Sequence, residues 1–341
     1  MQTPHPRWRG FNLLGMFCSD TSASKSADTP GFFPEEDFRL IADLGFNYVR
    51  LPLSYRIWSS AKDPFAISEE KLAPLDDAVS YAQKYNLHLE ICLHRIPGYC
   101  VNEDEPEAEP FDLWTNDQAL EAAAYQWGEI SKRYRQISAE ALDFDLTNEP
   151  GDIPLYAYLR VARRISAEMR KYNPKRTLVL DGTHWGRFPP LEILQADLQN
   201  CRYTCRGYDP FSVTHYNAPW RAENDGEAIW PGGIQKVYGM EIPWDRKKVD
   251  DYFGMWRAVA DHYGVDILCS EMGCYNQTPH DVVLAWFEDN LQSLQNHDIG
   301  FALWNFRGAF GILDSGRSDV SYKKYAGHLL DEKLLKLLQK Y

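Results

Sequence analysis

The sequence predicts a single (β/α)8 barrel, the TIM-barrel architecture, over residues 1–341. Three observations predict it. Eight short apolar or β-branched runs recur along the chain, segments of helical period lie between most of them, and the longest irregular pieces each follow a run and precede a helix. Near-continuous apolar runs suit strands buried on both faces. Strands alternating with helices are the pattern of a parallel barrel. At 341 residues and 44% hydrophobic content, the chain is long enough for a large core.

The runs are 9–15 ("RGFNLLG"), 47–53 ("NYVRLPL"), 88–94 ("HLEICLH") and 141–148 ("ALDFDLTN"). Four more follow at 177–183 ("TLVLDGT"), 211–216 ("FSVTHY"), 265–271 ("VDILCSE") and 300–306 ("GFALWNF"). The first helix pattern opens on Pro34-Glu35-Glu36 and stops at Gly45, good chemistry for both ends. Five further segments are amphipathic, and "KYAGHLLDEKLLKLLQK" closes the chain. The pattern near "PLEILQADL" is short and weak, and 198–210 is read as an irregular connection. A doubly wound open sheet is the rival architecture, but no G-x-G-x-x-G follows the first strand. The long pieces are 16–33, 54–70, 95–116 and 217–244. In a barrel these βα loops build the C-terminal face, where active sites sit.

Charge narrows the ligand. The chain has 36 basic against 49 acidic residues, a net −13, which argues against nucleic acid and against an anionic membrane surface. No stretch approaches the ~20 apolar residues of a membrane span. The opening "MQTPHPRWRG" carries no apolar signal region. The expectation is a cytoplasmic protein, or a secreted one whose leader lies outside this sequence. The odd count of 7 cysteines mildly favours a reducing compartment. Cys201-x3-Cys205 is not a zinc pair, since no second pair follows nearby. A monomer is expected.

The strand ends carry the chemistry. They bear Asn12, Arg50, His94, Asn148 with Glu149, Asp181 through Trp185, His215 with Tyr216, Glu271, and Trp304 with Asn305. A merely solvated rim would be richer in Lys, Ser, Asp and Gly. Glu149 ends strand four and Glu271 ends strand seven, on roughly opposite sides of a barrel mouth. Two carboxylates with a gap between them are the kit for cleaving a glycosidic bond. One must be protonated to donate to the leaving oxygen and the other ionised to attack, so their environments must differ. Arg50 is a candidate to hold the nucleophile ionised, and Tyr216 to donate a hydrogen bond to it. Asn148 is placed to bond a sugar 2-hydroxyl. Aromatic side chains are 14% of the sequence, and their faces are platforms for sugar rings.

Six pieces in order, "RGFNL", "NYVRLP", "LHRIPGY", "TNEP", "SEMG" and "LWNFRG", resemble glycoside hydrolase family 5, in the cellulase-like clan of (β/α)8 retaining glycosidases. The resemblance spans most of the chain. It implies a β-glycoside hydrolase with a carbohydrate partner and a double-displacement mechanism without metal or cofactor. Glu149 would be the acid/base and Glu271 the nucleophile. Arg50, His94, Asn148, Tyr216 and Trp304 would line the subsite where cleavage occurs, with His215 and Trp185 as further candidates. It implies β-1,4-glucan, gluco-oligosaccharides or related β-glucosides as substrate, with β-mannan or xyloglucan as the alternative within the family. Retention calls for carboxyl groups about 5–5.5 Å apart. The family usually carries His-x-Tyr on strand six. In "VTHYNAP" His215 directly precedes Tyr216; with Tyr216 anchored, Thr214 takes the family's His position, and His215 is the alternative. Cys92 stands where an acidic residue often precedes Leu-His.

Ordinary readings compete residue by residue. His94 could be a satisfied core histidine, Arg50 a barrel salt bridge and Trp304 plain core. Trp58, Trp114, Trp220, Trp230, Tyr238 and Trp244 lie in the long loops, where packing outnumbers ligand stacking; one or two are expected to stack on sugar. The acidic run "NEDEPEAEP" at 102–110 reads as a solvated loop. The long loops 95–116 and 217–244 could wall off one end of the cleft, which would favour exo-action. Two rival functions are a metal-dependent hydrolase, which lacks the usual His-x-His on strand one, and a non-catalytic sugar-binding barrel, which would be expected to lose one glutamate.

Overall fold

A computed structural model of the chain describes residues 7–102, 104–191, 198–221, 226–237 and 239–341. Tyr238 and most of the weak fifth helix pattern lie outside the described residues. The parallel strands are β1 Arg9–Asn12, β2 Tyr48–Ser54, β3 His88–Ile96, β4 Leu142–Asp145, β5 Leu178–Asp181, β6 Cys201–Gly207, β7 Asp266–Met272 and β8 Gly300–Leu303. Their order in the sheet is β2-β1-β8-β7-β6-β5-β4-β3, and β3 pairs back to β2. This is the closed (β/α)8 barrel that the strand–helix alternation predicts. No helix among the described residues is long and apolar enough to cross a membrane.

Contacts group the chain into two compact units. The first is Leu13–Cys205 with Tyr263–Asp266. In it β2 and β3 run parallel from Tyr48 opposite His88 to Ser54 opposite Arg95, with a register shift after Leu53. β3 continues to β4, β4 to β5 and β5 to β6. Two of its helices start where side chains satisfy the first free N–H groups. Ser68 accepts from Lys71 N–H at the start of Glu69–Lys84, and Asn116 accepts from Gln118 and Ala119 at the start of Asp117–Arg133. The second unit is Met1–Asn12, Arg206–His262 and Ile267–Tyr341. There β8 pairs with β1 and with β7, and helices Arg246–Tyr263 and His280–Asn296 bury Trp256 and Trp286.

Strand six is not where the sequence reading puts it. Residues Phe211–Thr214 form a short helical turn after Pro210, whose carbonyl accepts from Val213 and Thr214 N–H. The strand is Cys201–Gly207, inside the segment read as irregular. The physical reason is its alternation. Tyr203 and Cys205 are apolar and buried, while Arg202, Thr204 and Arg206 between them are also buried but charged or polar. Each of the three is matched: Arg202 by Asp143 and Asp266, Thr204 by Asp181, Arg206 by Ser270 and Glu271. Buried charge is tolerated only when paired in this way, and pairing is invisible to an apolar-run reading.

The acidic run is a second correction. Asp104 and Glu109 are not solvated; they pair with Arg95 and Arg56. The 217–244 piece also has structure of its own, an antiparallel hairpin of Ile234–Val237 and Met240–Pro243.

The Asp143 pair makes a measurable stability. Burial alone would raise the Asp143 carboxyl, but Arg202 and the His88 ring overcome it and lower it to about 2. A folded value below the unfolded one gives stability that is present above the ordinary aspartate range and lost as pH falls toward about 2. Arg202→Met leaves Asp143 buried without its cation. It should cost about 3–5 kcal/mol in urea unfolding at neutral pH, and it should shrink the acid-side loss of stability that the wild type shows. A loss under about 1 kcal/mol would contradict this account of the strand.

Candidate active site

In the first unit the site residues are organised by one guanidinium. Arg50 on β2 is fully buried. It donates to Glu90 Oε1 at 3.1 Å, Asp145 Oδ2 at 2.7 Å and Asn148 Oδ1 at 2.9 Å, and its Nη2 lies 3.0 Å from Cys92 Sγ. Burial, reinforced by the neighbouring Asp145 carboxylate, pushes the Glu90 carboxyl up to about 8. Arg50 is ion-paired with Asp145. Burial also holds Cys92 as a thiol. The bond from Arg50 fixes the Asn148 side-chain oxygen as an acceptor, which makes the NH2 its donor end.

Glu149 follows directly. It is half-buried, and its φ is 48°, left-handed for a non-glycine residue. Such a backbone costs roughly 1–3 kcal/mol and persists only when its surroundings hold it. The holding groups are present. Glu149 N–H donates to Asp181 Oδ2 at 2.6 Å, and Tyr99 hydroxyl donates to Glu149 carbonyl at 2.6 Å. Asp181 also accepts from Thr204, and its carbonyl accepts from Tyr158 hydroxyl at 2.9 Å. One residue on, Pro150 carbonyl accepts from Trp185 N–H at 3.0 Å.

The other first-unit candidates surround this turn. His94 is buried on β3, with the Phe17 ring edge-on at 4.7 Å. Trp185 is 40% exposed and lies over Gly151, where an added Cβ would come within 3.3 Å of the indole. The absence of a side chain at Gly151 lets the indole approach the backbone closely. His184 and Trp185 share left-handed backbone, and His184 pairs with Asp152.

In the second unit Glu271 is the centre. It ends β7 inside a register irregularity between Cys269 and Met272, the kind of bulge that re-aims a side chain. Its carboxylate is buried and held at both oxygens. Arg206 Nη2 is 3.3 Å from Oε1, and Tyr208 hydroxyl donates to Oε2 at 3.1 Å. Arg206 is itself fixed, by a 2.7 Å bond from Nη1 to Ser270 Oγ and by Tyr252 hydroxyl on its carbonyl. Gly207 lies between these two residues, and a Cβ there would sit 3.0 Å from Cys269 Sγ and Met272 Cβ.

The hydroxyl expected from Tyr216 is supplied by Tyr208. Tyr216 is half-buried beyond the short helical turn and is not on a strand. His215 instead bonds the Thr214 hydroxyl at 2.9 Å and packs edge-on to Tyr208 at 5.3 Å. With strand six at Cys201–Gly207, the triplet in the family's His-x-Tyr place is Arg206-Gly207-Tyr208. Trp304 is half-buried at the end of β8, its N–H on Met272 carbonyl at 2.8 Å.

The sequence reading missed Arg206, Tyr208 and Tyr99. The signal for the first two was the period-two pattern Arg202-x-Thr204-x-Arg206 running into Tyr208. Among the loop tryptophans, Trp58 is buried against Gln126 and Trp230 bonds Asp289, both packing roles. Trp114 stacks edge-on to Tyr99 and Trp244 to Tyr252. Trp220 is 58% exposed, beside Tyr275 and Phe310.

Comparison with known proteins places the chain in a family. Cellodextrinase A of Ruminococcus flavefaciens is 27% identical over 296 residues, 85% of this chain and 83% of that protein. Endoglucanase C of Acetivibrio thermocellus is 26% identical over 333 residues, 92% of this chain and 95% of that one. A solved glycoside hydrolase, 31% identical, matches with a TM-score of 0.88 over 98% of this chain and 99% of that one. A hyperthermophilic endo-β-1,4-glucanase, 19% identical, shares the fold at a TM-score of 0.75 over 97% and 96%. The model of the cellulase family matches residues 12–309. The chain thus belongs to the cellulase family, glycosyl hydrolase family 5, and is an O-glycosyl hydrolase.

Proposed function

We propose that the chain is a retaining β-glycoside hydrolase acting on β-1,4-glucan, gluco-oligosaccharides or related β-glucosides, with Glu271 as nucleophile and Glu149 as acid/base. The observation that carries this reading is the grip on Glu271, a buried carboxylate with a donor on each oxygen. Two donors match its negative charge and fix its plane, as an attacking carboxylate requires. Glu149 has a different setting: half-buried, on a backbone pinned by Asp181 and Tyr99. Two carboxyl groups in unlike environments suit the division between attack and proton donation.

The steps follow. A Glu271 oxygen attacks the anomeric carbon while the glycosidic C–O bond breaks, and the Glu149 proton passes to the leaving oxygen. Water then attacks the anomeric carbon, Glu149 takes its proton, and Glu271 departs as carboxylate. Asn148 NH2 donates to the 2-hydroxyl, a contact that strengthens as the ring flattens. Arg50 positions Asn148 for it. His94, Trp304, Trp185, His215 and Tyr216 are proposed to line the sugar site. The names of the relatives support a glucan or cellodextrin as substrate.

Glu271→Ala should abolish turnover while circular dichroism shows an intact fold; retained turnover would refute the nucleophile assignment. Glu149→Ala should slow oligosaccharides far more than aryl β-glucosides with good leaving groups, and equal losses would contradict its role as acid. Tyr208→Phe removes a hydrogen bond to a charged group, about 1.5–3 kcal/mol, so kcat should fall about 10- to 150-fold. Tyr216→Phe should change kcat far less, and the reverse ranking would return the role to Tyr216.

A further inference from the structure

Two loops of the first unit are stitched together over the ends of β2 and β3. Ser19 hydroxyl donates to Glu105 Oε2 at 2.6 Å and Ser19 N–H to Glu105 Oε1 at 3.1 Å. Ser22 hydroxyl donates to Asp104 Oδ2 at 2.8 Å, and Ala23 N–H to Asp104 carbonyl at 2.8 Å. The same acidic segment is anchored from beneath. Arg95 Nη2 donates to Asp104 Oδ1 at 2.5 Å and to Asn102 carbonyl at 2.8 Å. Arg56 Nη2 lies 2.7 Å from Glu109 Oε1, while Tyr55 hydroxyl and Gly98 N–H donate to Glu109 Oε2 at 2.8 and 3.1 Å. Loops that follow β1, β2 and β3 thus share one strap. Left to water, an acidic run would extend by self-repulsion; here its inward carboxylates each meet a cation or a row of donors.

Beneath the strap the described groups at the ends of β2 and β3 are covered. Ser54 and Tyr55 at the end of β2 are fully buried, Cys18 and Ile96 nearly so, and Phe17 covers the His94 edge. A groove that carried a sugar chain past His94 would leave polar strand-end groups exposed in the empty protein. The groups there are sealed.

We propose that this strap ends the sugar-binding surface at His94 and restricts the enzyme to short β-linked oligosaccharides and simple β-glycosides, trimmed from a chain end. The proposal rests on the β-glycosidase reading above. An endo-acting site needs a surface open on both sides of the cleaved bond, and the charge-assisted bonds of the strap hold one side shut.

The test compares soluble cello-oligosaccharides with carboxymethylcellulose, following reducing ends and viscosity together. The wild type should release short products from one end of cellohexaose, and on the polymer reducing ends should rise with little loss of viscosity. The double variant Asp104→Ala, Glu105→Ala should raise the ratio of polymer to oligosaccharide kcat/KM by roughly tenfold, about 1.4 kcal/mol, with aryl β-glucoside turnover changed less than about twofold on the same scale. A steep early fall in viscosity with wild-type enzyme overturns the strap proposal alone, whatever the variant does. An unchanged ratio in a folded variant whose loop has become protease-sensitive overturns it too. Absence of turnover on every β-glycoside overturns it together with the proposed function.

Discussion

A wholly buried guanidinium has to be met by oxygen on every side, and Arg50 imposes that condition on the strands around it. An unpaired ion in such a place costs several kcal/mol. Glu90 on β3, Asp145 on β4 and Asn148 just beyond β4 each supply an oxygen. The condition therefore fixes side-chain identity on neighbouring strands and the register between them. Burial and the neighbouring Asp145 carboxyl raise the Glu90 carboxyl above its ordinary range. The result is a paired polar floor beneath the turn that bears Glu149.

That floor explains how a strained turn persists. The left-handed backbone at Glu149 cannot relax while Asp181 holds its N–H and Tyr99 its carbonyl. Asp181 is in turn held by Thr204 of the polar face of β6. The chain of dependence runs from buried paired charges to a fixed backbone at the residue that bears the carboxyl. Catalytic groups gain most from surroundings that need no rearrangement during reaction.

Much of this was legible in the sequence, and the failures have one cause. Seven of the eight strands announce themselves as apolar runs, and the polar residues at their ends include Arg50, Asn148, Glu149 and Glu271. β6 does not, because Arg202, Thr204 and Arg206 put charged or polar side chains into the buried interior, where they are satisfied only by partners distant in sequence. Hydrophobic patterning sees the cost of such residues and not the compensation. "FSVT", with two β-branched residues, was the attractive wrong choice. Losing β6 meant losing Arg206 and Tyr208 and giving Tyr216 a part that geometry assigns elsewhere. The acidic run at 102–110 failed in the same way: a row of carboxylates reads as solvated until Arg56 and Arg95 are seen beside it.

At Arg206 this chain departs from the pattern it resembles. A histidine in that place is neutral or cationic depending on pH, since its ordinary range lies near neutrality. Arginine carries its charge throughout. Its planar fork divides between Ser270 and Glu271 Oε1, with Tyr208 on the other carboxylate oxygen. The cation beside Glu271 is therefore constant across the pH range of folding, and no imidazole titration at that position modulates it. The same fork needs room for a longer side chain than histidine. Gly207, packed without a Cβ against Cys269 and Met272, lets the strands close where β6 turns from Arg206 to Tyr208. Glycine, arginine and tyrosine in that triplet thus depend on one another. Exchanging Arg206 alone for histidine would change both the charge at Glu271 and the bond that ties it to Ser270.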